Sequence, residues 1–178
     1  MSLPANIKLL FLDVDGVLTD GSLLYTGDGE TIKRFNVRDG LGIKAWQTAG
    51  RHVAIISARS STAVARRMAD IGVTIVRQGI KDKAAEVRAI CETMGVPPSE
   101  AAFMGDDWPD AEAMRLVACP LAPADADPQI RALARYVTQA PGGHGAVREA
   151  VERLLSAAGL LSKAAASYHL PNADQEPT

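Results

Sequence analysis

Asp13-Val14-Asp15-Gly16-Val17-Leu18-Thr19-Asp20-Gly21 sets two carboxylates one residue apart, directly behind the apolar run 7–12. Ionised acids held that close are costly without a cation beside them, and a bound metal ion supplies one. A carboxylate can attack phosphorus and carry the phosphoryl group as an aspartyl-phosphate, but it repels a phosphate ester. Mg²⁺, a hard cation that keeps phosphate oxygens and a few carboxylates around it, cancels the repulsion. Asp13 ends the strand and is placed to attack. Asp15, where the chain leaves the strand at Gly16, can protonate a leaving alcohol and then take a proton from water. Asp-x-Asp-Gly alone reads equally well as an Asp-rich turn, and it is the whole nonapeptide behind a strand that favours chemistry.

A second acidic group, Gly105-Asp106-Asp107-Trp108-Pro109-Asp110, follows the run 101–104. Asp106 would complete an octahedral oxygen shell with Asp13, the backbone carbonyl of Asp15, water and phosphate. Asp107 and Asp110 would orient that shell through hydrogen bonds, although Gly-Asp-Asp is also a common helix start. Ser57, after the run 52–56, offers a hydroxyl and following amides that open a helix, a means of holding phosphoryl oxygens; helix capping is its plainer role. Lys83 lies in the first turn of a helix over 81–94, where a cation opposes the helix dipole, and that points to an anionic partner. Lys81 is its rival on the same turn. Of the histidines, His52 starts an apolar strand, His144 sits in a glycine loop and His169 lies near the end. Trp46 reads as core and Trp108 as a packing wedge beside the acidic loop.

These groups need a scaffold that brings strand ends together. Residues 7–12, 52–56, 73–76, 101–104 and 117–120 are short apolar runs of the buried parallel-strand type. Residues 40–48, 61–71, 81–94 and 109–116 have helical spacing, and Gly50, Gly72 and Gly95 stand where left-handed caps belong. Strict alternation predicts an α/β fold, an open, doubly wound (Rossmann-like), mostly parallel sheet with helices on both faces. Ligands bind outside the carboxyl ends of such strands, so Asp13, Asp15, Ser57 and Asp106 should converge. Arms 22–25 and 31–35 around Thr26-Gly27-Asp28-Gly29-Glu30 predict a β-hairpin inserted after the first strand, its tip over the mouth of the site. A glycine loop at 141–145 leads into a helix over 146–158. One hydrolase-like domain is expected over 1–162, with a mobile tail over 163–178.

The length of 178 residues, 47% of them hydrophobic, is enough for one domain with a substantial core. A net charge of −2 with scattered Lys and Arg gives no basic footprint for nucleic acid, so an anionic ligand must be held by local groups. Cys91 and Cys119 lack metal-ligand spacing and read as reduced thiols. No leader and no membrane-length apolar run is evident, and a cytoplasmic protein with no membrane partner is expected.

Asp13-x-Asp15, Ser57, Lys83 and Gly105-Asp106-Asp107-x-x-Asp110 resemble, in order, the four motifs of the haloacid dehalogenase superfamily of phosphatases. Together with residues 13–21, 35–43, Gln78-Gly79 and 142–149, they resemble more closely its small capless phosphatases of sugar-acid phosphates, from about residue 7 to about 160. The resemblance implies Asp13 as nucleophile, Asp15 as acid/base, and Mg²⁺ on Asp13, Asp15 and Asp106. It implies phosphate binding by Ser57 and Lys83, and substrate contacts from Asn36, Val37, Arg38, Asp39, Gly40, Lys44, Arg59 and Arg67. It implies a homotetramer whose hairpins pack around a central axis, and 3-deoxy-D-manno-octulosonate 8-phosphate as substrate, with a nine-carbon keto-sugar acid 9-phosphate as the alternative. Ser57-Ala58 stands where the family usually has Thr-Gly, and Lys44 and His144 stand where arginine is common. A phosphomutase would need a lid, for which no insert is long enough, and a non-catalytic assembly module would predict a broken acidic set.

Overall fold

The computed structural model describes residues 2–27 and 31–169. Its centre is β1 (Leu9–Leu12), whose four residues are all buried. On one side it pairs in parallel with β4 (His52–Ile56), which pairs with β5 (Ile75–Arg77). On the other it pairs with β6 (Ala101–Met104), followed by β7 (Cys119–Ala122) and β8 (Tyr136–Val137), every pairing parallel. The order β5-β4-β1-β6-β7-β8 is a doubly wound sheet. After β1 the chain turns one way and after β6 the other, so the crevice between these two strand ends is the topological switch point.

Both faces of the sheet are covered, which is why its strands read as unbroken apolar runs. Leu10, Leu12, Val53, Ile55 and Met104 face one layer, with Ile43 and Trp46 of α1 (Val37–Thr48), Val64 and Met68 of α2 (Thr62–Asp70), and the inner stripe of α6 (Ala146–Ala157). Leu9, Phe11, Ala54, Ile56 and Phe103 face the other, with Val87, Ile90 and Cys91 of α3 (Lys83–Met94), Ala113 and Met114 of α4 (Ala111–Leu116), and Ile130 of α5 (Pro128–Leu133). Trp46 is fully buried and its indole N–H donates to the His52 carbonyl at 2.8 Å. Among the described residues no helix is long and apolar enough to cross a membrane.

Several boundaries differ from the sequence reading. β5 and β7 each start two residues later than expected, and Val73 and Val117 are buried in the approaches to those strands. α5 and β8 add a turn and an edge strand too short for periodicity to register. The hairpin keeps only β2 (Leu24–Tyr25) against β3 (Thr31–Ile32), and its expected tip lies outside the described residues. α7 (Leu161–Ala166) carries the fold beyond residue 162 and buries Ala164; the expected tail beyond residue 169 lies outside the described residues. Trp108 is no packing wedge. It is 65% exposed on a 3₁₀ turn, Trp108–Asp110, whose buried member is Asp110.

Candidate active site

Parallel pairing in register puts the ends of β1, β4 and β6 side by side, and the residues that follow them line a cavity of about 330 Å³. Asp13, Asp15, Ser57, Arg59, Lys83, Asp106, Asp107 and Asp110 all contribute to it. The amide of Asp13 donates to the Met104 carbonyl at 3.1 Å, so the two acidic loops leave the sheet together. Gly16 has φ +85°, and a Cβ there would meet a carboxylate oxygen of Asp106 at 2.0 Å. Only glycine lets the first loop turn this close to the second acid.

Asp13, Asp106 and Asp110 each present an oxygen within 4.8 Å of the others. Burial, then the charge of Asp110, lifts the Asp13 carboxyl from 3.8 to about 7, against the neighbouring Lys83. Burial, with Asp13 and Asp110 adding to it, lifts Asp106 to about 8. Two carboxyls lifted this far by burial and by neighbouring acids belong to a donor set short of positive charge, and an all-oxygen set of this kind suits Mg²⁺.

Lys83 is the cation paired with the cluster among the described residues. Its Nζ lies 3.0 Å from Asp13 Oδ1 and 2.6 Å from Asp110 Oδ1, with only 3% of its side chain exposed. Burial works against its charge, but Asp13 and Asp110 outweigh burial and hold its pKa above the ordinary lysine value. It is the first residue of α3, whose N-cap is Asp82, so the side chain that suits the helix dipole least is anchored by two acids. Asp110 is hydrogen-bonded within the cluster. Its Oδ2 accepts from the amides of Asp106 (3.0 Å) and Asp107 (3.4 Å). Asp107 accepts from the Trp108 amide and completes the cap.

Ser57 is buried at the cavity wall, but it does not open a helix. α2 begins at Thr62, and the Ser57 hydroxyl accepts from the Arg59 amide at 3.2 Å in the intervening turn. Arg59 reaches the mouth, with Nε 4.0 Å from Asp15 Oδ2. The Asp15 carboxylate pairs with Lys33, and the acid cluster found among the described residues is made of Asp13, Asp106 and Asp110 without it. Sequence reasoning missed Lys33. Its signal is an inverted alternation in the hairpin, with Ile32 55% exposed and the Lys33 side chain 3% exposed.

Most of the remaining expected substrate contacts lie elsewhere in the single chain. Asn36 caps α1 by accepting from the Arg38 amide, and its side-chain NH₂ donates to the Gly143 carbonyl. Asp39 is buried and accepts from the amides of Gly145 (3.2 Å) and Arg148 (2.9 Å), joining α1 to α6. Val37, Arg38 and Lys44 are exposed along α1, and the Arg67 guanidinium lies across Gly40. None of these residues lines the cavity. His144 is exposed in its glycine loop.

Residues 67–149 match the family of haloacid dehalogenase-like hydrolases. Over 164 residues the chain is 43% identical to 3-deoxy-D-manno-octulosonate 8-phosphate phosphatase KdsC of Escherichia coli, covering 92% of this chain and 87% of that one. It superposes with a TM-score of 0.89 and 38% identity on 3-deoxy-D-manno-octulosonate 8-phosphate phosphatase of Moraxella catarrhalis in complex with magnesium, phosphate and 3-deoxy-D-manno-octulosonate (KDO), covering 92% and 95% of the two chains. The cobalt-bound deoxy-D-mannose-octulosonate 8-phosphate phosphatase of Haemophilus influenzae gives a TM-score of 0.86 at 40% identity, covering 89% and 92%.

Proposed function

The chain belongs to the haloacid dehalogenase-like hydrolases, among their 3-deoxy-D-manno-octulosonate 8-phosphate phosphatases, and we propose that it releases phosphate from that sugar acid through an aspartyl-phosphate on Asp13. It is a phosphoric monoester hydrolase with Mg²⁺ as cofactor. The observation that carries the reading is the crowding of Asp13, Asp106 and Asp110 around Lys83 at the switch point of the sheet.

Asp13, Asp106 and the backbone carbonyl of Asp15 would hold Mg²⁺, which when bound screens the phosphate charge from the attacking carboxylate. Lys83 fixes Asp13 and faces the phosphoryl oxygens with a permanent charge, and the Ser57 hydroxyl at the cavity wall donates to them. Asp13 forms its bond to phosphorus in line with the departing sugar oxygen, which takes its proton from Asp15. Asp15 then removes a proton from the water that splits the aspartyl-phosphate.

Arg59 at the mouth provides a cation beyond what the phosphate needs, suited to the carboxylate of a sugar acid. The exposed Leu24, Tyr25 and Ile32 on the hairpin support a homotetramer in which neighbouring copies cover these side chains and approach the site. The buried free thiols of Cys91 and Cys119 suit a cytoplasmic setting. The test of substrate is kcat/KM for 3-deoxy-D-manno-octulosonate 8-phosphate against a neutral-sugar phosphate of similar size. We expect at least a ~100-fold preference that Arg59→Ala largely erases, the scale of a lost charged contact; equal efficiencies in the wild type would reduce the protein to a general phosphatase.

A further inference from the structure

The two oxygens of Asp15 are held unequally. Lys33, the residue after β3, is drawn under the hairpin with 3% of its side chain exposed and ion-pairs with Asp15 Oδ1. Among the described residues Asp15 Oδ2 has no hydrogen-bond partner, and its nearest cation, Arg59 Nε, stands 4.0 Å away. Asp15 and Arg59 line the cavity that also holds Asp13. A lysine with a buried side chain that grips one carboxylate oxygen, and leaves its twin buried without a hydrogen-bond partner in a residue that lines the cavity, does more than neutralise a charge.

We propose that Lys33 is a positioning residue for the reaction, a role that rests on the reading of Asp15 as the acid/base. It holds Asp15 by Oδ1 so that Oδ2 is presented to the leaving oxygen. In the first step the Asp13–phosphorus bond forms and the ester phosphorus–oxygen bond breaks. The electron pair of that bond passes to the sugar oxygen, which takes the proton carried on Asp15 Oδ2. In the second step Oδ2 takes a proton from water as the new phosphorus–oxygen bond forms and Asp13 leaves. Lys33 donates to Oδ1 throughout, whether or not Oδ2 bears the proton, so one fixed contact serves both steps. An unanchored Asp15 would rotate about its side-chain bonds, and proton transfer needs the two oxygens at hydrogen-bond distance.

The test uses leaving-group dependence, which a purely structural role would not alter. p-Nitrophenyl phosphate releases a weakly basic phenolate that needs little protonation; a primary alkyl phosphate releases an alkoxide that needs it in full. The two are compared by kcat/KM, which reports the step that breaks the ester bond. Lys33→Met should lose at least ~100-fold on the alkyl phosphate that the wild type turns over best and under ~5-fold on p-nitrophenyl phosphate, the span that general acid catalysis supplies. Lys33→Arg should regain most of the alkyl activity. Equal losses on the two esters, or an undiminished alkyl rate, would overturn the assignment. If Lys33→Met does not fold, the same ratio measured on Lys33→Gln decides it. Wild-type turnover of the sugar-acid phosphate is measured separately, so failure of the substrate reading and failure of the Lys33 role appear in different columns of the same assay.

Discussion

Asp13 and Asp106 concentrate the electrostatic stress of the fold, and pH should expose it. Their carboxyls are lifted to about 7 and about 8, first by burial and then by the neighbouring acids. Between about pH 4 and pH 8 the metal-free folded protein therefore holds protons that the unfolded chain has released. Where the unfolded state binds fewer protons, stability falls as pH rises, so the metal-free protein should weaken across that window. Mg²⁺ binds the ionised pair and should restore what was lost. We predict a larger rise in Tm on adding Mg²⁺ at about pH 8.5 than at about pH 6 by differential scanning fluorimetry; a rise that is flat or shrinks with pH would contradict the assignment of these acids to the metal. At this scale the acids were legible because paired carboxylates behind apolar strands have few uses. Lys83 was legible because it opposes its own helix dipole. Lys33 was not, since its partner is eighteen residues away and only the hairpin brings the two together.

The loop between β8 and α6 explains how elements far apart in sequence fix the Asp13–Asp15 turn. Gly143 donates its amide to the Val17 carbonyl at 2.9 Å, while Asn36 and Asp39 tie α1 to the same glycine loop. A Cβ on Gly142 would lie 1.8 Å from the Gly16 carbonyl oxygen, a backbone atom that cannot step aside. Gly142→Ala should therefore cost about 1–3 kcal/mol and reduce kcat, read by thermal melting and by phosphate release; a variant unchanged in both would show that the loop does not brace the Asp13–Asp15 turn. Asp39→Ala should cost about 1–3 kcal/mol by leaving two amides unpaired, with KM nearly unchanged. A large rise in KM with stability intact would instead support the substrate-binding role that resemblance implies for Asp39. Strands and long helices were readable because apolar runs and 3.6-residue spacing report burial directly. Their ends were not, because Val73 and Val117 are buried just before strands that start two residues later. The job of Asp39 was hidden for a related reason: a buried acid bonded to amides more than a hundred residues away leaves no local pattern.

The molecule as a whole carries an imbalance between its closed core and its exposed hairpin. Leu24, Tyr25 and Ile32 are each more than half exposed on a two-stranded ribbon that, among the described residues, pairs with no other strand. Light scattering should give a tetramer, and replacing Leu24 and Ile32 by Lys should yield smaller species with reduced activity; a fully active monomer would leave the hairpin without its proposed partner. Attack of Asp13 on phosphorus in a magnesium-dependent site is tested most directly by phosphate release from 3-deoxy-D-manno-octulosonate 8-phosphate by the wild type and Asp13→Asn. With Mg²⁺ present the variant should fall by more than about 10³-fold, as for loss of a nucleophile, while melting as a folded protein. The wild type should lose turnover in EDTA and recover it with Mg²⁺. Substantial release by the folded variant, or a wild-type rate indifferent to chelation, would contradict the account.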